Sequence, residues 1–201
     1  MKCPGQAVMR DAGANRRSAV TSLGSEPAIL DAHPRDRDQV LDHFNWVRGE
    51  TERLAAPLSA EDQVVQSMPD ASPTKWHRAH ITWFFETMIL RDFAPGYAPL
   101  DPHYLFLFNS YYDAVGARHP RPERGLLTRP TADQVKAYRA HVDDAMRSLI
   151  AGADEATWDK IAPLIALGLH HEQQHQELLL TDILALFAQN PLRPAFREPV
   201  A

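Results

Sequence analysis

The sequence holds a single cysteine, Cys3, among 201 residues. One thiol cannot close an internal disulfide, and Cys3 sits in a stretch without helical pattern. It is not expected to join a buried metal site, and the near absence of cysteine fits a reducing, cytoplasmic setting. No apolar run approaches the roughly 20 residues that cross a bilayer, so no membrane partner is expected. The segment MKCPGQAVMRDAGANRRSAV also lacks the continuous apolar core of a signal peptide. The formal net charge is −5 with no basic run, which gives no support to a nucleic-acid partner. Strand-like alternation is missing as well, and with it any sheet edge on which a peptide substrate could lie.

What the chain has in quantity is histidine, ten residues, and proline, 16 residues. Hydrophobic residues at 44% and charged residues at 23% suit one globular domain with a single core. Residues 1–34 carry no periodicity and read as a mobile leader. From Asp36, the residues Val40, Phe44, Val47, Thr51 and Leu54 recur at steps of four and three, which predicts a helix ended by Pro57. Ser59 and Asp62 offer a capping box for a minor turn. Ser72 and Pro73 predict the start of a second helix, with Ser72 as cap, running to about Arg91. Thr131 and Gln134 form the box of a third helix with Val135, Tyr138, Val142, Ala145 and Leu149 as its seam, closed by Gly152. Asp154 opens a short turn, and a fourth helix is expected from near Pro163 to about Gln189.

Residues 93–130, rich in proline and aromatics, are too long for a plain linker and predict a loop lying over the helices. The fold class expected is all-α, a four-helix bundle spanning 35–190, followed by a tail over 191–201.

The fourth helix carries HHEQQHQE. His171 and His175 are four residues apart, so their imidazoles share one helix face and can share an ion. Leu164, Leu167, Gly168, Leu178 and Asp182 fall within about 60° of His171, which predicts that this is the buried face. His170 points away. His80 holds a central place on the second helix between Trp76 and Trp83, so three imidazoles from two helices can converge. Each histidine could instead be a hydrogen-bonded core residue. Asp182 and Gln174 could orient a ligand ring. His171-Glu172-Gln173-Gln174-His175 also matches H-E-x-x-H, in which Glu172 would be the general base of a zinc protease. No third ligand stands at the offset such enzymes use, which argues against that reading.

The segments SPTKWHRAHITWFFE (72–86), YYDAVGARHPRPERGLLTRP (111–130) and HHEQQHQELLLTDI (170–183) resemble the ergothioneine-biosynthesis sulfoxide synthases, or hercynine oxygenases. The resemblance spans about residues 36–197. It implies a DinB-like four-helix bundle that binds Fe(II) through His80, His171 and His175, while His77 matches a variable position. It further implies O₂-dependent joining of hercynine to a thiol such as γ-glutamylcysteine or cysteine. Arg118, Arg121, Arg124 and Arg129 cluster in the loop. The resemblance implies that arginines here, best matched by Arg121 and Arg124, hold the thiol's carboxylates, and that Gln174 lies near the substrate imidazole. A solvated charged loop is the alternative for the arginines.

Family members carry a second domain, resembling formylglycine-generating enzymes, that supplies a catalytic tyrosine. That domain is expected beyond this sequence or on a separate chain, and no tyrosine here is assigned the catalytic role. Two other readings stay open: a stand-alone DinB-like thiol transferase that uses zinc, and a metal-binding module without catalysis.

Overall fold

A computed structural model describes Pro27 and residues 30–197. Cys3, most of the expected leader and the last four residues lie outside the described residues. Among the described residues there are helices and turns and no strand. The helices are α1 (Arg37–Ala55), α2 (Thr74–Phe85), α3 (Arg91–Phe93), α4 (Tyr104–Leu107), α5 (Ala132–Gly152) and α6 (Glu155–Gln189). A π-helical segment, Glu86–Leu90, joins α2 to α3. No helix among these is long and apolar enough to cross a membrane.

Local chemistry sets most boundaries. Asp36 caps α1 by accepting from the Asp38 and Gln39 amides. Thr131 and Gln134 close a reciprocal capping box on α5. Ser59 and Asp62 exchange bonds of 2.8 and 3.1 Å, although they organise turns rather than a helix. The expected α1 face, Val40 to Leu54, is buried throughout.

Two expectations are corrected, at Ser72 and at Pro163. Ser72 is not a cap: α2 starts at Thr74 with Pro73 before it, and the Ser72 hydroxyl accepts from Arg124 at 2.9 Å. The second helix also has no exposed face, since every residue from Thr74 to Phe85 is buried. Finally, α6 runs unbroken from Glu155 and carries Pro163 inside it. Asp154 is its cap, accepting from the Thr157 amide at 2.7 Å. Pro163 removes one donor, but the carbonyl it leaves belongs to exposed Asp159, where water can satisfy it.

The core between α1, α2, α5 and α6 is apolar around Phe44, Trp83, Phe85, Tyr138, Met146 and Ile165. Leu30 joins it from ahead of α1, and a smaller cluster forms around Leu54, Leu179, Ile183 and Phe187. Between the two clusters runs a polar layer. Arg48 pairs with Glu172 at 2.8 Å and with Asp143 at 2.7 Å. Arg139 reaches Glu52 at 2.6 Å and Glu172 at 3.1 Å, and Arg78 reaches Glu52 at 2.7 Å. Three guanidinium groups thus face three carboxylates, one layer tying all four long helices together. Charges this deep persist only when paired and hydrogen-bonded, and here they are.

Candidate metal centre

The buried stripe of α6 runs through Ile161, Ile165, Leu169, Glu172, Gln176, Leu179 and Ile183. It is rotated by about one residue, or 100°, from the His171 face. That corrects the expected burial: Leu167 and Leu178 are exposed, while His171 and His175 lie half-buried at the edge of the stripe. Edge placement suits a site that small molecules must reach. His80 comes from α2 and is buried.

The three rings meet. Centroids lie 5.0 Å apart for His80 and His171, 4.8 Å for His80 and His175, and 4.6 Å for His171 and His175. One ligand atom from each can be chosen so that all lie within 4.8 Å of one another, the geometry of a group that could hold an ion. His80 is stacked between Trp76 at 4.6 Å and Trp83 at 5.7 Å, with interplanar angles of 13° and 18°. Both indoles are themselves tethered, Trp76 Nε1 to the Leu107 carbonyl and Trp83 Nε1 to that of Leu105. His80 Nδ1 lies 2.6 Å from the Phe108 carbonyl, which accepts its proton and leaves Nε2 as the free lone pair.

The close approach of α6 to α2 depends on Gly168. A Cβ there would lie 2.7 Å from Phe85 Cε1 and 2.9 Å from Phe84 Cε1. One turn later His171 rests against Phe84, with centroids 5.0 Å apart.

Electrostatics keep the rings neutral, which is the ligating form. Burial pushes His171 down to about 4. Burial, then the neighbouring His171, holds His80 well below the usual histidine value. His175 is lowered by burial and by His80, His77 and His171 around it. His171 Nδ1 is a buried atom without a hydrogen-bond partner, a cost that a bound ion can remove. The donor set therefore fits a divalent cation of the kind that accepts imidazole nitrogen.

Glu172 cannot serve the protease role. Its side chain is 0% exposed, and its oxygens are taken by Arg48, Arg139 and Thr51, the last at 2.6 Å.

Residues 43–179 match the model of the DinB superfamily. The chain belongs to the DinB superfamily. All three histidines fall inside the matched span, so the candidate centre is part of the DinB domain itself. No curated protein matches the sequence.

The four arginines of the loop are held in different states. Arg124 is buried, its guanidinium carbon 3.3 Å from the centroid of the Trp76 ring, with Nη1 on Ser72 and Nη2 on Ser110 at 3.1 Å. Burial and the nearby Arg121 lower its pKa to about 9. Arg121 is half-buried and donates to Tyr111 Oη at 2.8 Å and to the Asp70 carbonyl. Arg118 pairs with Asp113, and Arg129 is exposed, donating to the Thr128 carbonyl at 2.9 Å. Gln174, one residue before His175, is exposed.

Sequence reasoning set aside one neighbour, His77, and did not single out another, Tyr112. His77 Nδ1 is 2.9 Å from His175 Nδ1, and Tyr112 packs on Trp83 at 5.3 Å, with its ring 6.5 Å from His80. His77 precedes His80 by three residues, so helical spacing alone could have placed it near the site.

Proposed function

We propose that this DinB domain binds Fe(II) through His80, His171 and His175 and serves an ergothioneine-type sulfoxide synthase. The fold would be the four-helix bundle of that family. The observation that carries the reading is the convergence of three neutral imidazoles beside a buried, ring-stacked arginine. The resemblance of residues 72–86, 111–130 and 170–183 to hercynine oxygenases supports the choice of reaction.

The proposed reaction takes a C–H of hercynine, the S–H of a cysteine or γ-glutamylcysteine, and O₂. It yields a carbon–sulfur bond, a sulfoxide and one water, so the four electrons that O₂ accepts come from bond formation and sulfur oxidation. When bound, Fe(II) supplies the redox chemistry and leaves coordination positions for substrates, because only three are taken by protein. The chain's own residues do the rest. Trp76 and Trp83 hold the plane of His80. Arg121 and Arg124 offer cationic donors for the thiol's carboxylates, and the resemblance assigns Gln174, exposed one residue before His175, to the substrate imidazole. A second domain, in this protein or on a partner chain, would complete the hercynine pocket.

A zinc-dependent thiol transferase is the second reading. It is favoured by one observation: all three ligands lie within the DinB domain, so that activity needs no further domain. A non-catalytic metal module is the third.

The test is anaerobic loading with Fe(II) or Zn(II), followed by hercynine, γ-glutamylcysteine or cysteine, and O₂, with products read by mass spectrometry. Iron-dependent appearance of the hercynine sulfoxide adduct supports the synthase, in the presence of the partner domain if one is needed. Thiol adduct formation with zinc and without O₂ supports the transferase. Bound metal without turnover supports the module.

A further inference from the structure

We infer that His77 and Asp182 are positioning residues of the metal centre, acting through His175. The inference rests on the three-histidine metal reading and adds residues to it. His77 lies on α2, one turn before His80, and is buried. Its Nδ1 is 2.9 Å from His175 Nδ1, and its Nε2 is 3.0 Å from Asp182 Oδ2. Asp182 lies on α6, two turns beyond His175, and Oδ2 also accepts from the Ser72 amide at 2.8 Å. The carboxylate is thereby fixed against the segment that leads into α2.

Proton placement follows from donor and acceptor counts. A carboxylate only accepts, so the hydrogen toward Asp182 is on His77 Nε2. A neutral ring has one N–H, which leaves His77 Nδ1 as a lone pair. The hydrogen between the two histidines must then sit on His175 Nδ1. His175 is left with Nε2 as its free lone pair, matching His80, whose Nδ1–H is given to the Phe108 carbonyl. The chain Asp182–His77–His175 thus sets the tautomer of a ligand and makes its ring a stronger donor. His77 cannot also be a ligand, since both of its nitrogens are in use. The helix pair α2 and α6 is tied at the same point, so the relay also fixes the distance between the elements that carry the ligands.

The decisive experiment has two readouts. In metal-free protein labelled with ¹⁵N, long-range ¹H–¹⁵N spectra report which nitrogen of His175 carries hydrogen. The wild type is expected to show Nδ1–H, and His77→Leu is expected to shift His175 toward the Nε2–H form that free histidine prefers. In anaerobic titrations, His77→Leu is expected to bind Co(II) about 10–100-fold more weakly, with an altered visible spectrum. His77→Gln can accept from His175 and donate to Asp182, and is expected to recover most of that loss. Asp182→Ala, at the edge of the site, gives the same test should His77→Leu fail to fold. The inference is overturned if wild-type His175 carries Nε2–H, or if the Leu, Gln and Ala variants all bind Co(II) like the wild type. Equal losses in the Leu and Gln variants overturn it too. Absence of Co(II) binding by the wild type would instead overturn the metal reading, while the tautomer spectra would still decide the relay.

Discussion

Arg48 Nη1 lies 2.8 Å from Glu172 Oε2, with side-chain exposures of 2% and 0%. Glu172 stands one residue from the candidate ligand His171, yet its carboxylate is turned to the buried interior. The same short sequence therefore serves two faces of α6: His171 and His175 belong to the candidate metal centre, while Glu172 and Gln176 lock the helix to α1. Gln176 Nε2 completes the lock by donating to the Val47 carbonyl at 2.9 Å.

Replacement of Glu172 should therefore destabilise the fold. Glu172→Ala leaves Arg48 and Arg139 buried against a lost charge, a change that costs about 3–5 kcal/mol. Urea denaturation measures this directly. A catalytic base could be replaced with stability intact, so an unchanged midpoint would restore the protease reading.

Acid should weaken the same layer through Glu52. Burial alone would raise its pKa, but Arg139 and Arg78 outweigh burial and hold it below the ordinary carboxylate value. A group depressed in the folded state contributes stability above its unfolded pKa, and that contribution is lost as pH falls through the folded value. As pH falls through and below the ordinary carboxylate range, the wild type should lose urea resistance more steeply than Glu52→Gln. Parallel slopes would contradict the assignment.

Gly168 should tolerate no side chain, whereas Gly152, where a Cβ meets nothing within 4 Å, should. Gly168→Ala gains up to about 1 kcal/mol of helix propensity but forces Phe84 and Phe85 to move, with overpacking costs of about 1–3 kcal/mol. A net loss of thermal stability and weaker metal binding are expected for Gly168→Ala. Gly152→Ala should match or exceed the wild type. Calorimetry with a metal titration checks both.

Arg121→Ala should weaken binding of the thiol substrate without releasing metal. Its partners, Tyr111 Oη and the Asp70 carbonyl, lie on the loop side rather than among the histidines. Calorimetric titration of γ-glutamylcysteine into metal-loaded protein tests it, and unchanged affinity would return Arg121 to a structural role in the loop.

Much of this was legible before any coordinates. The i, i+4 spacing of His171 and His175, and the place of His80 between two tryptophans, follow from helical geometry. The capping box of Thr131 and Gln134 was legible too, from residue type and spacing, whereas Asp36 marked only where the α1 pattern begins. The buried face of α6 was misjudged because hydropathy counts Glu172 and Gln176 as surface residues, whereas their partners on α1 and α5 take them inside. The relay through His77 depends on how α2 faces α6, a packing relation that spacing along one helix does not contain. Pro163 was read as a helix start because the rule for proline in a first turn is strong. The cap at Asp154 and the buried run of Trp158, Ile161 and Ala162 carry the helix through it.

The most direct test of the central claim is the stoichiometry of Fe(II) binding under anaerobic conditions. The wild type should take up one equivalent, and X-ray absorption should show a nitrogen-rich shell with three imidazoles. His80→Ala, His171→Ala and His175→Ala should each lose stoichiometric binding while keeping their helical content. Full iron content in all three variants would contradict the assignment of the metal centre.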